Sequence, residues 1–235
     1  MIMPSDKDYK DTKLIKQEKA NLKVEFNELA DWIKATYGVR PLNIIYDKIE
    51  YSGTPRLQVC FELYADLLKF TDSTGIFPDR AKQGTIKQKF IQFSRAQVRF
   101  QSKFSFIRLL TNQFSANKTK NLHVIFTSFE AIARQEANEN IQRSRIDQLK
   151  EDVADKHLWK IMNVFGGVTF FLYTDDQVNQ YEQNGIKESW SKLYFKLLKE
   201  YDDFDYYKWE DFSIRLDSKE NFDSNYESNW YYYYK

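Results

Sequence analysis

The stretch Phe61-Glu62-Leu63-Tyr64-Ala65-Asp66 has a near copy downstream, Phe170-Phe171-Leu172-Tyr173-Thr174-Asp175. A second pair of similar segments follows in the same order, because Val124 to Glu130 resembles Ile214 to Glu220. One interpretation is an old duplication of a strand-and-helix unit. The other is chance similarity between short segments. If the copies are related, the chain consists of two similar halves.

Each copy lies at the end of a β-rich segment that belongs to a hairpin pattern. Leu42 to Tyr51 and Arg56 to Tyr64 flank a Ser-Gly-Thr-Pro turn signal, and Leu158 to Val164 and Val168 to Tyr173 flank Phe-Gly-Gly. Such spacing predicts an antiparallel hairpin in each half. We therefore expect an α+β fold, with mixed or antiparallel sheet and flanking helices, arranged as two related βαβ-containing halves.

Helices are expected around these strands. The apolar spacing from Leu22 to Ile33 predicts one helix face, and Thr12 is the expected N-cap upstream. Thr174-Asp175-Asp176-Gln177 matches a capping box, and the helix that it begins is expected to end at Asn184-Gly185.

Composition indicates a folded protein. Of the 235 residues, 42% are hydrophobic and 17% aromatic, which is enough for a sizeable core. The expected halves are 1–141 and 142–235, either as separate domains or around a shared core. Cys60 is the one cysteine, so we expect a buried thiol and no internal disulfide. No segment has the apolar length of a signal peptide or a membrane span, so we expect a cytoplasmic protein without membrane association.

Sequence motifs for catalysis and cofactor binding are missing. His123 and His157 are the two imidazoles, and neither has a cysteine or second histidine at a metal-binding spacing. The seven glycines form no phosphate-binding loop, and no nucleophile motif occurs. A catalytic triad from distant residues has no support in the sequence. We predict no enzymatic activity, no cofactor and no metal site.

Charge is distributed unevenly along the chain. From Arg80 to Phe129 there are ten Lys or Arg and no acidic residue, whereas Glu200 to Lys235 contains ten Asp or Glu against four basic residues. The stretch 80–120 interleaves Lys and Arg with Phe, which suits nucleic-acid binding as an alternative function. A solvated helix face explains the same pattern.

The acidic C-terminal third is also rich in aromatic residues, a combination that suits a basic protein partner. A solvated acidic surface is favoured over a divalent-cation site, because the carboxylates follow no calcium-loop spacing. The terminal run from Asn229 to Lys235 predicts either a final strand packed on the sheet or an exposed aromatic patch. The expected partner-binding residues are Asp202, Asp203, Asp205, Tyr206, Trp209, Trp230 and Tyr232.

The last 20 residues, Leu216 to Lys235, read Leu-Asp-Ser-Lys-Glu-Asn-Phe-Asp-Ser-Asn-Tyr-Glu-Ser-Asn-Trp-Tyr-Tyr-Tyr-Tyr-Lys. This segment resembles the ends of uncharacterised bacterial cytosolic proteins, some of which act as immunity partners of secreted toxins. The resemblance is one of style, and it transfers no site residue. It implies a non-enzymatic protein that occludes a basic toxin.

Overall fold

The structure is a computed structural model that describes residues 3–101 and 121–235, of which 97–101 are described by their backbone alone. Contacts divide the chain into two compact units, Met1–Ile132 and Ala133–Lys235. This division falls within a helix, upstream of the boundary expected between residues 141 and 142. Each unit has its own sheet and its own hydrophobic core.

Unit 1 contains a mixed three-stranded sheet. Its elements are α1 (Lys7–Lys16), α2 (Asn27–Tyr37), β1 (Asn43–Lys48), β2 (Pro55–Phe61), α3 (Tyr64–Leu68), α4 (Arg80–Gln101), β3 (His123–Ser128) and the start of α5 (Phe129–Glu139). The central strand β2 is antiparallel to β1 and parallel to β3. Leu57, Val59 and Phe61 of β2 are fully buried, and Cys60 beside them is a buried thiol whose pKa burial raises to about 11.

Unit 2 repeats this topology. Its elements are α6 (Arg143–Val153), β4 (Leu158–Val164), β5 (Gly167–Leu172), α7 (Asp175–Gln183), α8 (Ile186–Lys199), β6 (Arg215–Ser218), α9 (Lys219–Tyr226) and α10 (Trp230–Tyr233). The central strand β5 is antiparallel to β4 and parallel to β6. The predicted α+β class, the mixed sheets with flanking helices and both hairpins are confirmed.

The same Ser-x-Glu motif begins at the last residue of the third strand in both units. In unit 2, Ser218 Oγ accepts a hydrogen bond from Asn221 N at 2.8 Å and caps α9, while Glu220 accepts from Asp175 N at 3.1 Å. In unit 1, Ser128 accepts from Ala131 N at 3.1 Å, and Glu130 accepts from Tyr64 N at 2.8 Å. In each unit the glutamate of this motif connects the helix after the third strand to the helix after the central strand by a hydrogen bond.

The two sequence similarities differ in structural register. Ser128 and Ser218 are equivalent, as the Val124–Glu130 similarity predicts, because they lie beside Phe61 and Leu172 respectively. The first similarity matches Phe61 to Phe170 instead, and it is therefore wrong by two residues. The matched ends of the two central strands, Val59 to Phe61 and Phe170 to Leu172, are apolar and buried on both faces, so residue type does not mark the register there.

The helix signals had mixed outcomes. The capping box at Thr174 and Gln177 is present, and α7 ends before Gly185, which has φ +80°. Thr12 as an N-cap is wrong. It lies inside α1, where it is 1% exposed, donates to Asp8 O at 2.6 Å and accepts from Asn43 Nδ2 at 2.9 Å. The hydroxyl is used to link α1 to the sheet, a tertiary contact that local pattern does not reveal.

The unit 2 sheet is covered on both faces by aromatic side chains. Phe170 and Phe171 alternate along β5 and are both fully buried. Phe170 stacks on Trp190 of α8. Phe171 contacts Trp230 of α10 edge-on. The two faces therefore present different surroundings for a site: one is covered by α6 and α8, the other by α9 and α10.

Candidate functional site

The acidic segment after α8 is held by its own hydrogen bonds. The Asp202 side chain is 3% exposed and accepts from the backbone N–H groups of Tyr206 at 3.0 Å and Tyr207 at 2.9 Å. Lys199 Nζ donates to the same carboxylate at 2.6 Å and also to Asp205. Asp202 therefore fixes the turn, and its carboxylate is occupied by groups of its own chain.

Asp203 and Asp205 lie on the outside of this turn. Asp203 is exposed, and the Asp205 side chain is 70% exposed. Lys199 and then Lys208 bond to Asp205 and lower its pKa to about 2. Tyr206 is half-buried with its ring against Phe204. The predicted acidic surface exists here, but lysines of the same segment neutralise part of it.

Tyr207 anchors the end of this segment. Its hydroxyl lies 2.9 Å from the carbonyl oxygen of Arg134 and 3.1 Å from that of Gly166, and its side chain is buried. Burial raises the pKa of Tyr207 to about 12, above the ordinary value of 10.0. The neutral phenol is thus favoured in the folded chain. Its contribution to the free energy of unfolding is fully present below pH 10 and is lost as the pH rises through about 12.

We expect the free energy of unfolding to fall by about 1–2 kcal/mol more in the wild type than in Tyr207→Phe between pH 10 and pH 12. Urea unfolding followed by circular dichroism at several pH values measures this difference. Tyr232→Phe, at an exposed position, is the control for the loss of a tyrosine hydroxyl. Equal slopes for wild type and Tyr207→Phe would contradict the expectation.

The terminal aromatic run forms the short helix α10. Trp230 and Tyr233 lie three residues apart and share one helix face. Trp230 stacks on Phe222 at 4.0 Å between ring centroids, and the Tyr233 hydroxyl donates to Asp217. Tyr231 and Tyr232 are 67% and 47% exposed. The five rings of the run therefore divide: Trp230 and Tyr233 pack on the sheet, two tyrosines face solvent, and Tyr234 stacks on Trp230.

Trp209 borders a surface cleft of ≈ 420 Å³, named here the Trp209 cleft. Glu182 at the end of α7 and Glu188 in the first turn of α8 also line it, together with Lys187. The indole ring contacts Phe195 edge-on at 5.5 Å, which fixes its orientation. The cleft combines an aromatic wall with two carboxylates.

Lys192 of the same chain contacts both a carboxylate and the indole ring at this site. Lys192 Nζ lies 2.7 Å from Glu188 Oε1 and 5.8 Å from the centroid of the Trp209 ring. The same contact lowers the pKa of Glu188, so this carboxylate stays ionised. The Lys192 and Glu188 side chains are 60% and 65% exposed. The arrangement is one that binds an ammonium or guanidinium group at the surface.

Sequence reasoning found Trp209 but missed Glu182, Glu188 and Lys192. The spacing of Glu188 and Lys192, four residues apart on a predicted helix, is a signal for an ion pair. Nothing in the sequence places that pair beside Trp209, because the contact depends on the path of the chain after α8.

In the part of the chain that the structure describes, two lysines of the basic stretch contact groups of their own chain. Lys82 donates to Lys69 O at 2.6 Å and pairs with Asp79, and Lys89 lies over the rings of Trp32 and Phe93. These lysines are used within unit 1. Arg80 and Arg95 of the same helix are exposed, and Lys87 is half-buried. The last four basic residues of the stretch, Lys103, Arg108, Lys118 and Lys120, lie outside the described residues.

Among the described residues, no three His, Cys, Asp or Glu side chains are placed to hold a metal ion. Within the same residues, no helix has the length and apolar character needed to cross a bilayer. Comparison with protein-family models, with curated proteins and with solved structures finds no match to this chain.

Proposed function

We propose that this chain is a non-enzymatic protein-binding protein of the immunity type, which acts in the bacterial cytoplasm and binds a basic partner protein through the Trp209 cleft. The observation that carries the proposal is the position of Lys192 between Glu188 and Trp209. It supports an ammonium or guanidinium group as the ligand of Glu188 and Trp209. A lysine or arginine of a partner replaces Lys192 in this position.

Displacing Lys192 from Glu188 costs little free energy, because this ion pair is exposed to solvent. Exposed pairs of this kind contribute little, because solvent screens the charges and the side chains lose conformational freedom. A partner that covers the indole ring removes water from the same groups and so strengthens the contact with its cation. Glu210 and Asp211, both exposed in the turn that begins at Trp209, add negative potential that speeds the encounter.

Trp230 is a packing residue in this proposal. Its ring is stacked on Phe222 and lies under Lys160, so its replacement tests folding before it tests binding. Tyr232, by contrast, is available as an additional contact.

Two variants should change affinity for a basic probe in opposite directions. Glu188→Lys is expected to weaken binding of a fluorescein-labelled decalysine peptide about tenfold. Lys192→Ala removes the internal competitor and should strengthen binding about twofold to fivefold. Fluorescence polarisation at 50 and 150 mM salt measures both, and a decaglutamate peptide is the negative probe.

Glu151→Lys is the matched control, because it makes the same charge change at an exposed position of α6. It should shift decalysine affinity by less than about twofold, because Glu151 does not line the Trp209 cleft and salt screens exposed charges that are not in contact. The proposal fails if Glu151→Lys weakens binding as much as Glu188→Lys, because a non-specific acidic surface would then explain it.

A pull-down from native lysate then separates the two classes of partner. One half of the lysate is treated with nuclease, and protein and nucleic acid are analysed in both. A stoichiometric protein that survives nuclease, and is lost with Glu188→Lys but not with Glu151→Lys, supports the proposal. Retention of nucleic acid alone, abolished by nuclease, would favour the basic stretch 80–120.

A further inference from the structure

A second cleft, of ≈ 570 Å³, lies on the face of the unit 2 sheet that α10 covers in part, and is named here the Arg215 cleft. Met162, Thr169 and Arg215 are register neighbours across β4, β5 and β6 and form its floor. Phe165 and Tyr234 also line it, and their rings meet edge-on at 6.3 Å.

Phe165 is an unusual residue for its place. It occupies the β4–β5 turn with φ +52°, followed by Gly166 with φ +77°, and its side chain is 61% exposed. Asn or Gly is preferred where a hairpin turn needs positive φ. A phenylalanine here adopts a left-handed backbone conformation that favours glycine, and it displays its ring to solvent. This exposed ring, with its edge-on contact to Tyr234, forms an aromatic wall of the cleft.

The charge of the Arg215 cleft is one-sided. Its lining includes Arg215 and Lys187 and no carboxylate. Lys187 is paired with Glu182 at 2.8 Å. No salt bridge between described residues involves Arg215, which is exposed on the edge strand β6. A guanidinium group in an aromatic-walled cleft suits a carboxylate, which it can bind through two parallel hydrogen bonds.

The two clefts adjoin, because Lys187 and Ser213 line both. One end of the combined surface carries Trp209 and Glu188, and the other carries Arg215 and Phe165. A single partner segment that lies along Ser213 therefore meets an acid–aromatic cleft and then a cationic one.

We propose that the Arg215 cleft binds the acidic side chain of an Asp or Glu in the same partner segment whose basic residue enters the Trp209 cleft. This inference rests on the proposed function and adds a second determinant to it. The recognised chemistry is a short segment with one basic and one acidic residue at a fixed separation.

The test is selection from a phage-displayed random 12-residue peptide library on the immobilised full-length chain. The wild type should enrich peptides with Lys or Arg and Asp or Glu at a fixed separation. Arg215→Glu should lose the acidic preference and keep the basic one, whereas Glu188→Lys should do the reverse. Lys156→Glu, an exposed position outside both clefts, is the matched control and should keep both preferences.

One enriched peptide and its Glu→Gln (or Asp→Asn) form are then compared by fluorescence polarisation. Arg215→Glu should lower affinity for the parent peptide about tenfold or more, and affinity for the amide form by less than about twofold. Equal affinity of the wild type for both peptides would overturn the inference and leave the proposed function standing. Enrichment without any basic preference, or no enrichment, would overturn both.

Discussion

Phe171→Ala is expected to lower the free energy of unfolding by about 3–5 kcal/mol, because it removes a fully buried ring from the centre of an aromatic cluster. Phe171 contacts Trp230 and Tyr233, each at 5.3 Å between centroids, and Trp159 at 6.0 Å. No neighbour can fill the space without leaving its own contacts. Urea unfolding followed by far-UV circular dichroism measures the loss.

The control for this prediction is Tyr231→Ala, which removes a ring that is 67% exposed on α10. It should change stability by less than about 0.5 kcal/mol. A Phe171→Ala protein within about 1 kcal/mol of the wild type would mean that α10 does not pack as described. In that case all the terminal tyrosines would be available to a partner.

The division of the terminal run shows what pattern reasoning can and cannot establish. Four consecutive tyrosines carry no period, so the sequence leaves both a strand and an exposed patch open. The decision comes from Trp230, which stacks on Phe222, and from Tyr233, whose hydroxyl reaches Asp217. These contacts place one helical turn against the sheet and leave Tyr231 and Tyr232 outside.

The hairpins and the capping box were predictable because their signals are local. Thr174 and Gln177 are three residues apart and satisfy each other, whatever the rest of the chain does. The role of Thr12 was not predictable, since it depends on Asn43, 31 residues away. Register along β5 was equally hidden, because Phe170, Phe171 and Leu172 are all apolar and all buried, so residue type does not distinguish the two faces there.

In the candidate site, too, residue types were predictable from the sequence and contacts between distant residues were not. Residue types in the C-terminal third predicted an acidic and aromatic surface, and Trp209 lies in a cleft with carboxylates. Asp202 belongs to the same acidic sequence but is turned inward onto two backbone N–H groups. Composition cannot distinguish these fates, because a carboxylate that caps a turn and one that faces a partner have the same sequence signature.

Unit 2 contains a buried side-chain amide, that of Asn138, which is 1% exposed. Its Oδ1 accepts from the Tyr194 hydroxyl at 2.7 Å, and its Nδ2 donates to Gly167 O at 2.9 Å. One residue thus joins α5, α8 and the start of β5. Burial raises the pKa of Tyr194 above its usual range, so the hydroxyl remains a proton donor.

Asn138→Ala is expected to cost about 3–5 kcal/mol, because it leaves a buried hydroxyl and a buried carbonyl without partners at about 1–3 kcal/mol each, in addition to the lost packing. Tyr194→Phe should cost only about 1–2 kcal/mol, because the amide keeps its bond to Gly167. Urea unfolding of both single variants provides these values.

The double variant tests the physical reason. In the Tyr194→Phe background there is no hydroxyl to leave unpaired, so Asn138→Ala should cost about 1–2 kcal/mol less than it does in the wild type. Packing losses alone would give costs that add to within about 0.5 kcal/mol. Additive costs would therefore show that the hydrogen bond contributes little, and that Asn138 serves as a spacer between α5 and α8. A coupling of the expected size would show that these helices are joined by a polar contact that sequence periodicity cannot reveal.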